Sequence, residues 1–458
     1  MTTAIDGLAS GLNTTAIINS LMSVEALPQT QLKTKLASNQ TVISTLQSLN
    51  SKLTALKNLS VAGSATGALN LFTATSSSPS VTAKTTTAAT AGSIDLTVTQ
   101  LAQTQVNVTA AMASWPTDGG APAHLTIVDS TGKTTEIAPS STSLDDVVSA
   151  INSASGGAHA VKVPAGTYRL QLTASASGAA GAFTAYQGTA AQVAGGTAVD
   201  LMADPTAAVV RTAQDAKATL YAGTAAEQVL TSGTNTFTDV LPGVSVTATA
   251  VSTGPVTVTV ASDVPGITKK AEDLVKSVND VLSFVSMYSA VSKTTDSSGA
   301  TVPKAGILTG NTSVRAVNDQ VVAALSRPID GKSPAEYGIN ITKDGNFTFD
   351  SEKFAAALSA DPAATQAAVQ ALAGRVADAA KAASDPYNGS ISSLIKGRES
   401  EVRDLGTRIA DWDQRLATRR ATLQSVYTNM EVLLGGLQSQ SAWLSGQISS
   451  LPKQSTGE

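Results

Sequence analysis

Residues 401–444 read EVRDLGTRIADWDQRLATRRATLQSVYTNMEVLLGGLQSQSAWL, and the spacing of their apolar positions decides the architecture. Val402, Leu405, Ile409, Trp412, Leu416, Leu423, Val426, Met430, Leu433, Leu437 and Leu444 share one a/d register, in which Arg419 and Gln440 also occupy d positions. Glu399–Arg403, Asp404–Arg408 and Asp411–Arg415 place acid before base at i, i+4, the favourable order on a helix surface. As one continuous helix, Ile391 to Leu451 would run roughly 90 Å at about 1.5 Å per residue. Gly435-Gly436 is the expected hinge, because paired glycines commonly mark kinks or breaks.

The other end of the chain carries a matching seam. Between Thr14 and Leu59 there is no glycine, and Pro28 is the one proline. Val42, Leu46, Leu49, Leu53 and Leu56 are spaced 4, 3, 4, 3, again an a/d pattern. Asn13 suits an N-cap, and Pro28 should break or kink the helix near Leu27. Each seam needs a partner, and the cheapest partner is the other one, so the termini should pack together.

Between the arms the period changes to two. Ser93–Thr99, Val244–Thr247 and Val256–Val260 alternate apolar and polar residues as half-buried strands do. His124–Val128 and Thr134–Ile137 flank the turn Asp129-Ser130-Thr131-Gly132, and Tyr168–Leu172 reads as a further strand. Ser143-Leu144-Asp145-Asp146 has the capping pattern that opens a short helix. The Ala/Gly-rich stretches 178–181 and 190–196, and Thr294–Lys304, read as loops. Pro265-Gly266 should end the β region, with helix returning at Ile267–Ala290, Thr312–Leu325 and Ser351–Leu358, and a hairpin turning at Asp344-Gly345.

The expected fold is α+β and multidomain: long terminal α-helices packed as a coiled coil or helical bundle, with nested, mainly antiparallel β-rich domains inserted between them. The expected division is a terminal helical leg (1–40 and 431–458) and a helical domain with a β-hairpin (41–74 and 265–430). Within these lie a β-rich domain (75–113 and 212–264) and an inserted β-rich domain with a short helix (114–211).

Composition narrows the function. The chain has 458 residues, with a formal charge of −4 and charged residues at 14%, against roughly 25% in ordinary domains. That charge offers no field for nucleic acid or anionic lipid. No cysteine is present, which excludes disulfides, thiolate metal sites and a cysteine nucleophile. Two histidines, His124 and His159, are too few for a multi-histidine metal site, and both read as loop or edge residues. No nucleophile elbow, phosphate-binding loop or dinucleotide fingerprint occurs. Asp145-Asp146 reads as helix capping rather than a carboxylate pair. Asp344–Asp350 lacks the glycine and glutamate of a calcium loop and reads as a hairpin. The expectation is a protein that is not an enzyme and holds no cofactor or metal.

No apolar run reaches the ~18 residues of a membrane-spanning helix, and the start lacks a basic, apolar signal sequence. The chain is therefore expected in the cytoplasm, or exported by a route that reads no cleavable signal. What remains is assembly. Ile17, Leu21, Met22, Leu444 and Ile448 extend the seams beyond any obvious core, as in a building block.

The residues also carry a resemblance. Ile5-Asp6-Gly7-Leu8-Ala9-Ser10-Gly11-Leu12-Asn13-Thr14-Thr15-Ala16-Ile17-Ile18, then Leu21-Met22 and Glu25, resembles the start of the flagellar filament cap (hook-associated protein 2) family. Ser93–Ala102, Leu144–Asn152, Gln214-Asp215-Ala216, Asn235–Val244, Gly306–Gly310, Tyr337-Gly338-Ile339 and Met430-Glu431 continue the series in order over most of the chain. Asn13 stands where the family usually has Asp, Tyr288-Ser289 replaces a common Tyr-Asn, and the Ala-rich middle domain diverges.

The resemblance implies a homo-oligomeric cap, a pentamer or hexamer, at the growing end of the flagellar filament, where flagellin folds and inserts beneath it. It implies export by the flagellar type III route, with a small export chaperone on the C-terminal helix. The residues then expected to contact the filament or other copies are Ile5, Leu8, Leu12, Ile17, Leu21, Met22, Leu437, Leu444 and Ile448. Leu433, Leu437, Leu444 and Ile448 are those expected to meet the chaperone. Gly7, Gly11, Gly435 and Gly436 would let the leg bend. Two other readings are another axial flagellar protein (a hook–filament junction protein or flagellin variant) and an adhesin whose 114–211 domain binds a host surface ligand.

Overall fold

The structure, a computed structural model, describes residues 9–450. Nine helices are found there: α1 (Thr14–Glu25), α2 (Leu27–Ser64), α3 (Leu144–Ser153), α4 (Ala190–Ala194), α5 (Val264–Ser289), α6 (Thr312–Ser326), α7 (Ser351–Ala360), α8 (Pro362–Ser384) and α9 (Ser390–Ser449). The chain divides into two compact units, one of residues 66–268 and one of the flanking segments.

The flanking segments form the helical unit. The Asn13 side chain caps α1 by accepting the Ala16 N–H at 2.8 Å. Ala26 separates α1 from α2, and Pro28 sits in the first turn of α2, where its missing N–H costs nothing. Leu46, Leu49, Leu53 and Leu56 of α2 are wholly buried, and Val42 is half-buried. They are not covered by the other terminus alone, because α2 packs along both α8 and α9. Each buried leucine contributes about 1.5–3 kcal/mol. α8 also packs on α6 and α7, which makes this helix the centre of the unit. The Asp344-Gly345 turn closes a hairpin that pairs Ile339–Ile341 with Phe347–Phe349, and Gly345 takes φ +82° there. Asn279 of α5 holds the N–H and C=O of Phe347 at 2.8 and 2.7 Å.

Three local readings are corrected. The stretch 294–304, expected as a loop, belongs to an exposed hairpin pairing Ser292–Thr295 with Thr301–Lys304. Its threonines carry strand propensity without an apolar face to reveal it. The stretch 190–196 contains the short helix α4, started by a capping box between Thr189 and Gln192. Pro265-Gly266 does not precede the helix but lies in the first turn of α5.

The unit of residues 66–268 holds two β cores. One lies between a five-stranded antiparallel sheet, ordered Phe72–Ser76, Val256–Ser262, Gly92–Gln100, Ala216–Leu220, Gln228–Ser232, and a three-stranded sheet. Ile94, Leu96 and Val98 alternate inward with Val256, Val258 and Val260, as the period of two requires. The other core lies among two four-stranded sheets and α3, around Trp115, Leu125, Ile127 and Leu170. The Trp115 indole N–H donates to the Ala123 carbonyl at 2.6 Å. The strand Val106–Val108, expected in the 75–113 segment, pairs instead with Thr167–Ala174 and Ala208–Arg211 of the inserted set.

Both aspartates at the start of α3 are engaged locally. Asp145 pairs with Lys162 at 2.6 Å and Asp146 accepts from the Ser141 hydroxyl at 2.5 Å. His124 Nδ1 lies 2.5 Å from Glu136 Oε1 on the strand edge, and His159 is exposed on a strand. Among the described residues no group of three or more His, Cys, Asp or Glu side chains could hold a metal ion. No helix there is long and apolar enough to cross a membrane.

Candidate functional site

The arm is an antiparallel pair, α1 and the first half of α2 against α9. Its contacts run in opposite numerical order along the two strands of the arm. Asn39 Oδ1 accepts from Arg398 at 3.4 Å, and Lys35 meets Glu401 at 3.2 Å. Further out, the Gln29 amide donates to Asp413 at 2.5 Å and Glu25 pairs with Arg419 at 2.8 Å. Arg420 then donates to Asn19 at 2.9 Å, and Glu431 receives Ala9 and Ser10. Arg419, out of place at an apolar d position, is accounted for by Glu25.

The seam between these helices is mixed rather than oily. On the α1–α2 side the buried residues are Thr14, Ile18, Met22, Gln29 and Asn39, where a heptad core would carry leucines throughout. On α9 only Leu405 of the predicted seam is fully buried. Val402, Ile409, Trp412, Leu416, Leu423 and Met430 are half-buried, and Val426 is 57% exposed. Among the described residues the expected pairs Glu399–Arg403, Asp404–Arg408 and Asp411–Arg415 are not formed; ion pairs on α9 include Arg398–Glu401, at i, i+3, and two that cross to Lys35 and Glu25. Cross-helix partners outcompete neighbours on the same exposed face, where a pair is worth only a few tenths of a kcal/mol. Glu401 is held below its ordinary pKa by the Lys35 ammonium and then by the Arg398 guanidinium.

The end of the arm is where the predicted contact residues gather. Ile5 and Leu8 lie outside the described residues. Leu12 and Leu21 are exposed and Ile17 is half-buried. Met22 is buried, in one stripe with Thr14 and Ile18 at i, i+4, i+8, and α1 packs on α9. Leu433, Leu437, Leu444 and Ile448 are 69, 61, 53 and 62% exposed on the last turns of α9. Val432 and Trp443, which the heptad register left out, are equally exposed. The expected break at Gly435-Gly436 is absent, for α9 is a single helix of 60 residues through both glycines.

The roles of two residues escaped the sequence reading. Glu431 is 5% exposed, and its Oε2 accepts the N–H groups of Ala9 and Ser10 at 2.9 and 3.2 Å while Oε1 accepts the Ser10 hydroxyl. Gln438, one heptad on, donates to the Ala9 carbonyl. A glutamate just off an apolar seam gives no local sign that its partner lies at the far end of the chain.

Residues 10–105 match the family described as flagellar hook-associated protein 2 N-terminus, and residues 213–439 match its C-terminus counterpart. The chain belongs to the flagellar hook-associated protein 2 family. Flagellar hook-associated protein 2 of Escherichia coli O157:H7 is 27% identical over 474 residues, spanning 96% of this chain and 97% of that protein. The A-type flagellar hook-associated protein 2 of Pseudomonas aeruginosa is 27% identical over 489 residues, 98% of each. The crystal structure of the flagellar cap protein FliD D1-D2-D3 domains from Escherichia coli shares the fold, with a TM-score of 0.61 at 24% identity over 77% of this chain and 99% of that one. Within the hook-associated protein 2 family assignment, the two matched spans stop at 105 and resume at 213. They flank the sheet that begins with Val106–Val108 and ends with Ala208–Arg211.

Proposed function

We infer that this chain is the structural cap of a bacterial flagellar filament, seated at its distal end, where it promotes flagellin folding and insertion and prevents loss of monomers. Membership of the hook-associated protein 2 family supports the capping role. The observation that carries the mechanism is the exposed apolar end of α9. Leu433, Leu437, Trp443, Leu444 and Ile448 present large, exposed side chains on its last turns. Clustered exposed apolar residues of this kind mark a protein-interaction surface.

The leg, 1–40 with 431–458, is the part that grips the filament end, through Leu12, Ile17 and Leu21 together with Leu437, Leu444 and Ile448. Copies of the chain assemble as a ring of five or six, with the β-rich domains (75–113 with 212–264, and 114–211) forming a plate. Before assembly the same α9 face, at Leu433, Leu437, Leu444 and Ile448, is covered by a flagellar export chaperone, and the chain leaves by the type III route. A single apolar surface used in turn by chaperone, neighbour and filament explains why it is left bare in the free chain.

The test is deletion of the gene with assay of flagellin in the culture medium. Hooks without filaments, and monomeric flagellin lost to the medium, with both reversed by the wild-type chain, are the expected result. Normal filaments in the deletion strain would reject the reading.

A further inference from the structure

Glycine in the interior of a helix is unfavourable, so Gly435 and Gly436 each call for a physical reason. A Cβ added at Gly436 would meet nothing within 4 Å. A Cβ added at Gly435 would lie 3.8 Å from the Ala9 Cβ, so the N-terminal segment runs directly over that glycine. On either side of Gly435 a side chain holds the main chain of the same residue. Glu431, four positions earlier, accepts the Ala9 N–H at 2.9 Å, and Gln438, three positions later, donates to the Ala9 C=O. Positions i, i+4 and i+7 form one stripe on a helix.

We propose that Glu431, Gly435 and Gln438 form a main-chain latch, a site on α9 that takes a turn of polypeptide with a small side chain seated on Gly435, and that its occupant is Ala9-Ser10 of the same chain. The two prongs read chemistry that every residue but proline carries, one N–H and one C=O, and together they fix the direction of the bound segment. A carboxylate suits the first prong because two successive N–H groups, from Ala9 and Ser10, converge on its Oε2. Selectivity comes from the seat, which leaves room for the Ala9 methyl against bare helix. Gly11, at φ +73°, then turns the chain into the Asn13 cap.

The latch gives Gly435 a role other than bending. With Glu25–Arg419 at the far end of α1, it ties that helix to α9 at both ends and keeps Ile18 and Met22 covered. Opening it would release the start of α1 while Glu25–Arg419 still holds its far end and α9 stays helical.

The chain has no cysteine, so the seat can be tested by disulfide formation in the full-length protein. A Cβ–Cβ separation of 3.8 Å matches the mean of about 3.8 Å found in disulfides. The Ala9→Cys/Gly435→Cys variant is expected to form an intramolecular disulfide under mild oxidation, and Ala9→Cys/Gly436→Cys is expected not to. Adding Glu431→Ala and Gln438→Ala to the first variant should slow closure several-fold, with helix content unchanged by circular dichroism. No disulfide in the first variant, a product that is intermolecular instead, or a closure rate unmoved by loss of both prongs would each overturn the proposal.

Discussion

The Oε2 atom of Glu431 accepts the main-chain N–H of Ala9 at 2.9 Å, joining two positions 422 residues apart in sequence. That bond closes an arm whose other contacts are mostly polar: Gln29 to Asp413, Asn39 to Arg398, Glu25 to Arg419. Such a seam specifies register strongly and adheres weakly, because each pair gives up hydration to form. The helical core one step inward is built differently, with four wholly buried leucines on α2. The contrast predicts that the arm opens at far lower free energy than the core unfolds.

Leu53→Ala in the core should cost about 2–5 kcal/mol, the usual range for a buried leucine. Leu433→Ala, on the exposed end of α9, should change stability by no more than about 0.5 kcal/mol. Chemical denaturation of the two variants separates the cases. Equal losses would mean that α9 is covered where it is exposed in this structure.

The pH dependence of the arm follows from Glu401. Its folded pKa lies below the ordinary value of 4.5 because Lys35 and Arg398 favour the carboxylate. A depressed carboxyl pKa contributes stability that is present above the unfolded value and lost as pH falls through the folded one. Protection factors of α2 amides near Lys35, relative to the intrinsic exchange rate at each pH, should therefore fall on acidification below that value in the wild type, and Glu401→Gln should flatten the profile. An unchanged profile in that variant would remove Glu401 from the account.

Gly436→Ala should stabilise α9 by about 0.5–1 kcal/mol, since the position is helical and an added methyl meets nothing within 4 Å. Thermal melting of the full chain reads this directly. Swimming and filament length in the same variant test bending at the glycine pair: a stiffened leg that still supports normal filaments means that the cap does not bend there.

Trp115→Phe should destabilise the inserted β core by about 1–3 kcal/mol, because it leaves the Ala123 carbonyl without its donor in a buried site. The loss should appear in hydrogen exchange at 123–127 and leave α2 protection untouched.

Much of this architecture was legible in the sequence, and for identifiable reasons. Leu46, Leu49, Leu53 and Leu56 stand out because polar residues separate them, and Ile94, Leu96 and Val98 because their period is two. The central helix α8 was not legible: its alanines occur on every face, so burial of Ala368, Ala373, Ala377 and Ala380 leaves no periodic trace. Past Leu405 the seam of α9 is half-buried at Ile409, Trp412, Leu416, Leu423 and Met430 and exposed at Leu433, Leu437 and Leu444, since an a/d register describes what could be buried and not how fully a partner covers it. The burial of Met22 left no apolar periodicity to read, because its stripe contains Thr14. Glu431 and Gln438 were illegible because their function lies in main-chain atoms at the opposite terminus, which no spacing records.

Labelling this chain on intact flagella and imaging the filament ends by electron microscopy tests the capping account most directly. Label confined to the distal tip of each filament is the predicted result. Label distributed along the filament, or confined to the junction with the hook, would contradict it.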